Sequence, residues 1–107
     1  MKYKVYLSLE AEDDIFQIYN FILENDGEQI ANYVFDQLKI SCLNLTTFPD
    51  RGHTPPELKR INVFNYKETH YKPYRIIYQV LDNKVYIHCI FDGRRDLQEV
   101  LESRLFR

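Results

Sequence analysis

Two apolar runs, Tyr74–Leu81 and Val85–Phe91, flank Asp82-Asn83. Both are rich in Ile, Val, Tyr and Phe, the residues that suit a pleated, half-buried surface. Asp and Asn tolerate the left-handed backbone of a tight turn, so the pair predicts the tip of a two-residue hairpin. That loop length sets Val80 opposite Val85, Tyr78 opposite Ile87, Ile76 opposite Cys89 and Tyr74 opposite Phe91, an apolar face for the core. The other face carries Arg75, Ile77 and Gln79 against Ile90, His88 and Tyr86 and is mixed. A further strand, Tyr66–Tyr71, runs into Lys72-Pro73. A proline at the second central position does not match the common hairpin turns, which leaves the register open. A two-residue loop would place His70 opposite Arg75 and Glu68 opposite Ile77. It would gather His70, Arg75, His88 and Asp92 on one side of the sheet, with Arg94 and Arg95 where the last strand leaves it.

Upstream, a first strand gives way to helical spacing. Lys2–Leu7 alternates, with Tyr3, Val5 and Leu7 on one side, and predicts a strand at or near an edge because of its lysines. Ser8 suits an N-cap, and Glu10, Glu12 and Asp13 fall in the first turn of a helix running to about Asn25. Its expected buried stripe is Ile15, Ile18, Tyr19, Ile22 and Leu23. Asp26-Gly27 breaks it. A second helix, Glu28 to Thr46, turns Ile30, Val34, Leu38, Cys42 and Leu45 inward, and the short joint predicts an antiparallel helical hairpin. Phe16, Phe21 and Phe35 exceed what one stripe needs; they are assigned to the core, with an apolar groove for a partner as the alternative. Pro49, Gly52, Pro55 and Pro56 make Phe48–Lys59 a loop without regular structure, exposing Arg51 and His53. Asp96–Phe106 predicts a closing helix with Leu97, Val100, Leu101 and Leu105 on one side, capped by Asp96 with Glu99 three residues on. The order β-α-α-β-β-β-α makes an α+β fold over residues 1–107, a single domain in which a helical hairpin packs on a small antiparallel sheet.

Length, composition and charge narrow the function. A chain of 107 residues holds one core. Nothing approaches the roughly 18 consecutive apolar residues of a membrane span. The opening residues lack the apolar region and cleavage site of a signal peptide, so the expected location is the cytoplasm. The two cysteines, Cys42 and Cys89, have no metal-ligand spacing and are expected as buried free thiols rather than a disulfide. Net charge is −2, but residues 1–50 hold three lysines against nine acidic residues, and residues 51–107 hold eleven basic against seven acidic. The basic second half suits a polyanion or an acidic protein partner; complementarity between two layers of one domain explains the split equally well.

No phosphate-binding glycine loop, zinc-helix motif or nucleophile elbow is present, and neither metal nor cofactor is expected. The one constellation is the histidine–arginine group. Metal-free cleavage of RNA needs a base for the 2′-hydroxyl, an acid for the leaving oxygen and cations for the developing charge. His70 or His88 offers the acid or base, and Arg75, Arg94 and Arg95 the cations. Each has a structural reading beside this one: hydrogen-bonded strand histidines, an ion pair from Arg75 to Asp92 or Glu68, and arginines that cap and solvate.

Four stretches together resemble the RelE/ParE superfamily of toxins from type II toxin–antitoxin systems: Leu9–Tyr19 after the opening strand, Phe48–Gly52, Tyr74–Tyr78, and Phe91–Leu105. The resemblance covers almost the whole chain in the family's order and is closer to ParE-like members. It implies a cytoplasmic inhibitor of bacterial growth that forms a hetero-oligomer with a cognate antitoxin. ParE-like members poison DNA gyrase. RelE-like members cleave mRNA on the ribosome, with sheet-borne Lys, Arg, His or Tyr side chains. The resemblance thus implies gyrase as the target, with Arg94, Arg95 and Asp92 as target- or anion-binding residues. The alternative is mRNA cleavage, with His70, Arg75 and His88 as catalytic residues. A third reading is a toxin that survives only as an antitoxin-binding module.

Overall fold

The computed structural model describes residues 2–105, with side chains to residue 104. Strand β1 (Lys4–Leu7) leads into helices α1 (Leu9–Asp26) and α2 (Glu28–Leu43). A short helix α3 (Pro56–Lys59) precedes the meander β2 (Lys67–Tyr71), β3 (Tyr74–Leu81) and β4 (Lys84–Asp92), and α4 (Leu97–Leu105) closes the chain. The sheet order is β1-β4-β3-β2. The meander is antiparallel, and β1 joins its β4 edge in parallel. The expected α+β arrangement, helical hairpin on sheet, is the one observed.

Local chemistry explains the elements. The Ser8 hydroxyl accepts the Ala11 N–H at 3.0 Å and caps α1. Gly27 takes φ +96, a value that lets the chain turn directly from α1 into α2. Asp82 takes φ 57 at the tip of the β3–β4 hairpin, where the two-residue loop was expected. The β2–β3 loop also has two residues: Lys72-Pro73 is cis, His70 pairs with Arg75, and Glu68 with Ile77. Phe48–Lys59 is more regular than its prolines suggested. Pro49–Arg51 forms a turn of 3-10 helix, and Pro56 opens α3 at the position where a missing N–H costs nothing.

One residue corrects the expected register of β3 and β4. From Tyr78↔Ile87 to the tip the pairing follows the two-residue loop, but beyond it Ile77 pairs with Cys89, Ile76 with Ile90 and Tyr74 with Asp92. His88 is the additional residue of a β-bulge, and it inverts the faces that follow. Ile90 joins Ile76, Tyr78, Val85 and Ile87 in the core under the helical hairpin. Cys89 and Phe91 turn the other way and form a second core with Ile77, Leu97 and Val100, roofed by Leu58 and Tyr66. The face expected to be mixed is therefore half core, under α3 and α4. Asp92 lands on the face away from Arg75, because it pairs with Tyr74.

Side chains hold the bulge. Ser8 Oγ and Arg104 Nη1 both donate to the His88 carbonyl, at 3.1 and 3.2 Å. The Ile90 N–H donates to the buried Asp14 carboxylate at 2.9 Å, and Arg104 also pairs with Asp14. Backbone groups displaced from a ladder must find such partners.

The helical stripes shift by a residue or so. Ala11, Asp14 and Ile22 are the buried residues of α1, and Leu23 is exposed. Ala31 takes the inward place expected for Ile30. Helix α2 ends at Leu43, and Asn44–Thr46 continues as 3-10 helix. In α4, Leu97 and Val100 are buried and Leu101 is exposed. Asp96 accepts the Gln98 N–H as expected of a cap, but the Leu97 N–H goes to Glu57 of α3. The expected end at Phe106 and the packing of Leu105 lie outside what is described.

Candidate functional site

The residues singled out from the sequence fall at three places. The first is a buried ion network on the α3–α4 side of the sheet. Arg75 is 8% exposed. Its Nε and Nη2 grip the two Glu68 oxygens, both at 2.7 Å. Nη1 and Nη2 grip Glu57 at 2.7 and 2.8 Å, and Nη1 also donates to the Arg95 carbonyl at 3.3 Å. All five guanidinium N–H bonds are thus accounted for within the chain. The guanidinium also lies 5.0 Å from the centre of the Phe91 ring. Arg75 holds the Glu57 carboxyl far below its usual range, at about 2. His70, opposite Arg75 in the ladder, donates from Nε2 to Glu68 Oε2 at 2.6 Å. The expectation that Arg75 pairs with Glu68 or Asp92 holds for Glu68; its second partner is Glu57.

The second place is a cleft of about 480 Å³ whose walls include His88, Tyr66, Leu101, Glu10 and Arg104. His88 donates from Nε2 to Gln79 at 2.9 Å, and its ring meets Tyr66 edge-on at 5.5 Å. Burial lowers its pKa from 6.5, so the imidazole is neutral at physiological pH. His70 lies elsewhere, in a depression with His53, Glu57, Arg60 and Lys72. The two histidines therefore open onto different clefts.

The third place is the end of the sheet. Asp92, Arg94 and Arg95 line a cleft between α1 and α4 together with Phe21 and Tyr74. Arg94 chelates Asp92 through Nε at 3.0 Å and Nη2 at 2.7 Å, and the Arg94 N–H adds a third bond at 2.9 Å. These bonds hold the Asp92 carboxyl at about 2. The Arg94 side chain is 88% exposed and open to a partner.

The hairpin surface follows the alternative to the core assignment of its phenylalanines. Phe16 is 68% exposed and Phe21 66%, and Phe35 is exposed as well, so these are not core residues. Phe16, Phe35 and Leu43 border an apolar groove of about 350 Å³ floored by Val5, Leu7 and Cys42. Exposed apolar side chains that line a groove leave it open to a partner.

The model for the ParE toxin of the type II toxin–antitoxin system parDE matches residues 5–97. No curated protein matches the chain. Among solved structures, the chromosomal ParDE system of P. aeruginosa superposes with a TM-score of 0.71 at 15% identity, over 85% of this chain and 96% of that one. The toxin–antitoxin complex RelBE2 of Mycobacterium tuberculosis gives 0.64 at 16% identity, over 86% of this chain and 99% of its own.

Proposed function

The chain belongs to the ParE toxin family of type II toxin–antitoxin systems, and from that premise we propose that it arrests growth by binding and poisoning DNA gyrase rather than by cleaving RNA. The observation that carries this reading is the commitment of Arg75. Its five N–H bonds end on Glu57, Glu68 and Arg95, so it offers none to a phosphate. RNA cleavage needs an acid, a base and a cation around one phosphodiester. Here His70 and His88 line separate clefts. What remains accessible suits binding: the exposed Arg94 and the apolar groove beside Phe16 and Phe35.

The antitoxin reading uses the same surfaces. An antitoxin segment with alternating apolar residues would seat them between Phe16, Phe35 and Leu43, and β1 at the sheet edge would accept its backbone. The groove is lined by apolar side chains apart from Glu12 and Lys39, so the contact there would be mainly apolar.

The test is a gyrase supercoiling and cleavage-complex assay with purified toxin. Inhibition with accumulation of cleaved DNA, relieved by the cognate antitoxin, is the expected result. Unimpaired gyrase together with cleaved mRNA on toxin-treated ribosomes would replace this reading with the endonuclease one. The observation favouring that second reading is the neutral His88 beside Tyr66 in the 480 Å³ cleft, a ring able to accept a proton; it requires His88→Ala to abolish the cleavage. Harmless expression without antitoxin would leave only the binding module.

A further inference from the structure

We propose that His53, Glu68 and His70 form a binding site for a divalent transition-metal ion of borderline softness, of which Zn²⁺ is the representative. One ligand atom from each of the three lies within 4.8 Å of the others. Two imidazoles and a carboxylate form a donor set that zinc, nickel and copper accept. In a tetrahedral zinc site neighbouring ligand atoms stand about 3.3 Å apart, so the three close on an ion with shifts of about 1.5 Å or less. The two imidazoles supply that movement, since both residues are exposed, and the separation of 2.6 Å between His70 and Glu68 opens slightly to admit the ion.

The fixed part of the site is built for the purpose. Glu68 is 2% exposed, and Arg75 holds both of its oxygens. That fork orients the carboxylate as outer hydrogen bonds orient metal ligands elsewhere. Reciprocal backbone bonds tie His53 to Glu68, at 3.0 and 2.6 Å. They bring a loop residue beside the edge strand, and the His53 and His70 rings lie 5.4 Å apart. Charge argues the same way. Glu57 and Glu68 bring two negative charges to Arg75, which neutralises one, so a cation at His70 completes the balance. Arg60 and Lys72, at the rim of the same depression, are exposed to solvent, which screens their repulsion. Bound metal would clamp the Phe48–Pro55 loop to β2. The site is independent of the toxin's target.

Isothermal titration of the purified toxin with zinc chloride tests the proposal. The expected result is one saturable site with a Kd in the micromolar range. His53→Ala and His70→Ala, both exposed and so compatible with folding, should each weaken it by about tenfold or more. His88→Ala, which removes the remaining histidine, should bind as the parent does. Cobalt in place of zinc should give visible ligand-field bands without thiolate charge transfer. Three results would overturn the site: no saturation up to about 1 mM zinc, equal affinity in the parent and both exposed-histidine variants, or a thiolate band implicating Cys42 or Cys89.

Discussion

Replacing Arg75 by methionine keeps an unbranched, apolar side chain in place but strands two carboxylates. Glu57 and Glu68 have side chains only 9% and 3% exposed. Breaking a buried pair from one side typically costs about 3–5 kcal/mol, because the remaining charge is buried without a partner. The structure gives a second route to the magnitude. Arg75 is the main reason that Glu57 sits at about 2 instead of 4.5. At about 1.4 kcal/mol per unit, that shift alone is roughly 3 kcal/mol, and it includes the Leu97 N–H bond that survives the substitution. Against a total of about 5–15 kcal/mol, Arg75→Met should leave a folded but weakened domain. The pH dependence follows from the sign. The Glu57 pKa is lower folded than unfolded, so its stabilisation is complete above 4.5 and is lost as pH falls through about 2. Urea denaturation followed by circular dichroism should therefore show a wide gap between parent and variant at neutral pH and a narrow one near pH 2. Adding Glu57→Gln and Glu68→Gln should recover much of the loss, since no charge is then buried alone. A neutral-pH gap below about 1 kcal/mol, typical of an exposed ion pair, would refute the reasoning.

Tyr78→Phe removes a hydroxyl that donates to Pro49 O at 2.6 Å and accepts from the Gly52 N–H at 3.2 Å, so thermal melts should show a loss of about 1–3 kcal/mol. Gly52→Ala should be worse, because its Cβ would stand 2.6 Å from the Glu68 carbonyl and crowd the Tyr78 hydroxyl as well. Burial pushes the Cys42 and Cys89 thiols up to about 12, so a thiol reagent at neutral pH should react only once denaturant is added. His88, with a folded pKa below 6.5, should titrate by NMR below that value. The unfolded chain then binds more protons as pH falls through 6.5, so acidification should cost stability that His88→Gln retains.

The hairpins were legible because their signals are local: Asp82-Asn83 fixes one loop, and alternation fixes the strands on either side. The bulge was not, because Cys89, Ile90 and Phe91 are three apolar residues in a row and satisfy either phase of the alternation. Glu57 was hidden for a different reason. It lies in a proline-rich stretch that appeared irregular, and its partner Arg75 is eighteen positions away. The metal-ligating cluster left half a signal, Glu68 and His70 two apart on one strand face; only folding adds His53. Phe16, Phe21 and Phe35 show the limit of periodicity. An apolar residue that the fold leaves exposed has the same sequence signature as one that it buries.

The bulge also changes what kind of information position 88 carries. On the tip side of His88 the strand runs in one phase, and past it in the opposite phase, as text does after an inserted letter. A substitution there alters one side chain. Deleting the residue would rephase everything from Cys89 to Asp92, sending Cys89 and Phe91 under the hairpin and Ile90 toward α4, and would take the Ile90 N–H away from Asp14. Spacing at this point is therefore a stricter requirement than identity, and a one-residue gap here in any comparison with a relative would exchange the strand's two cores.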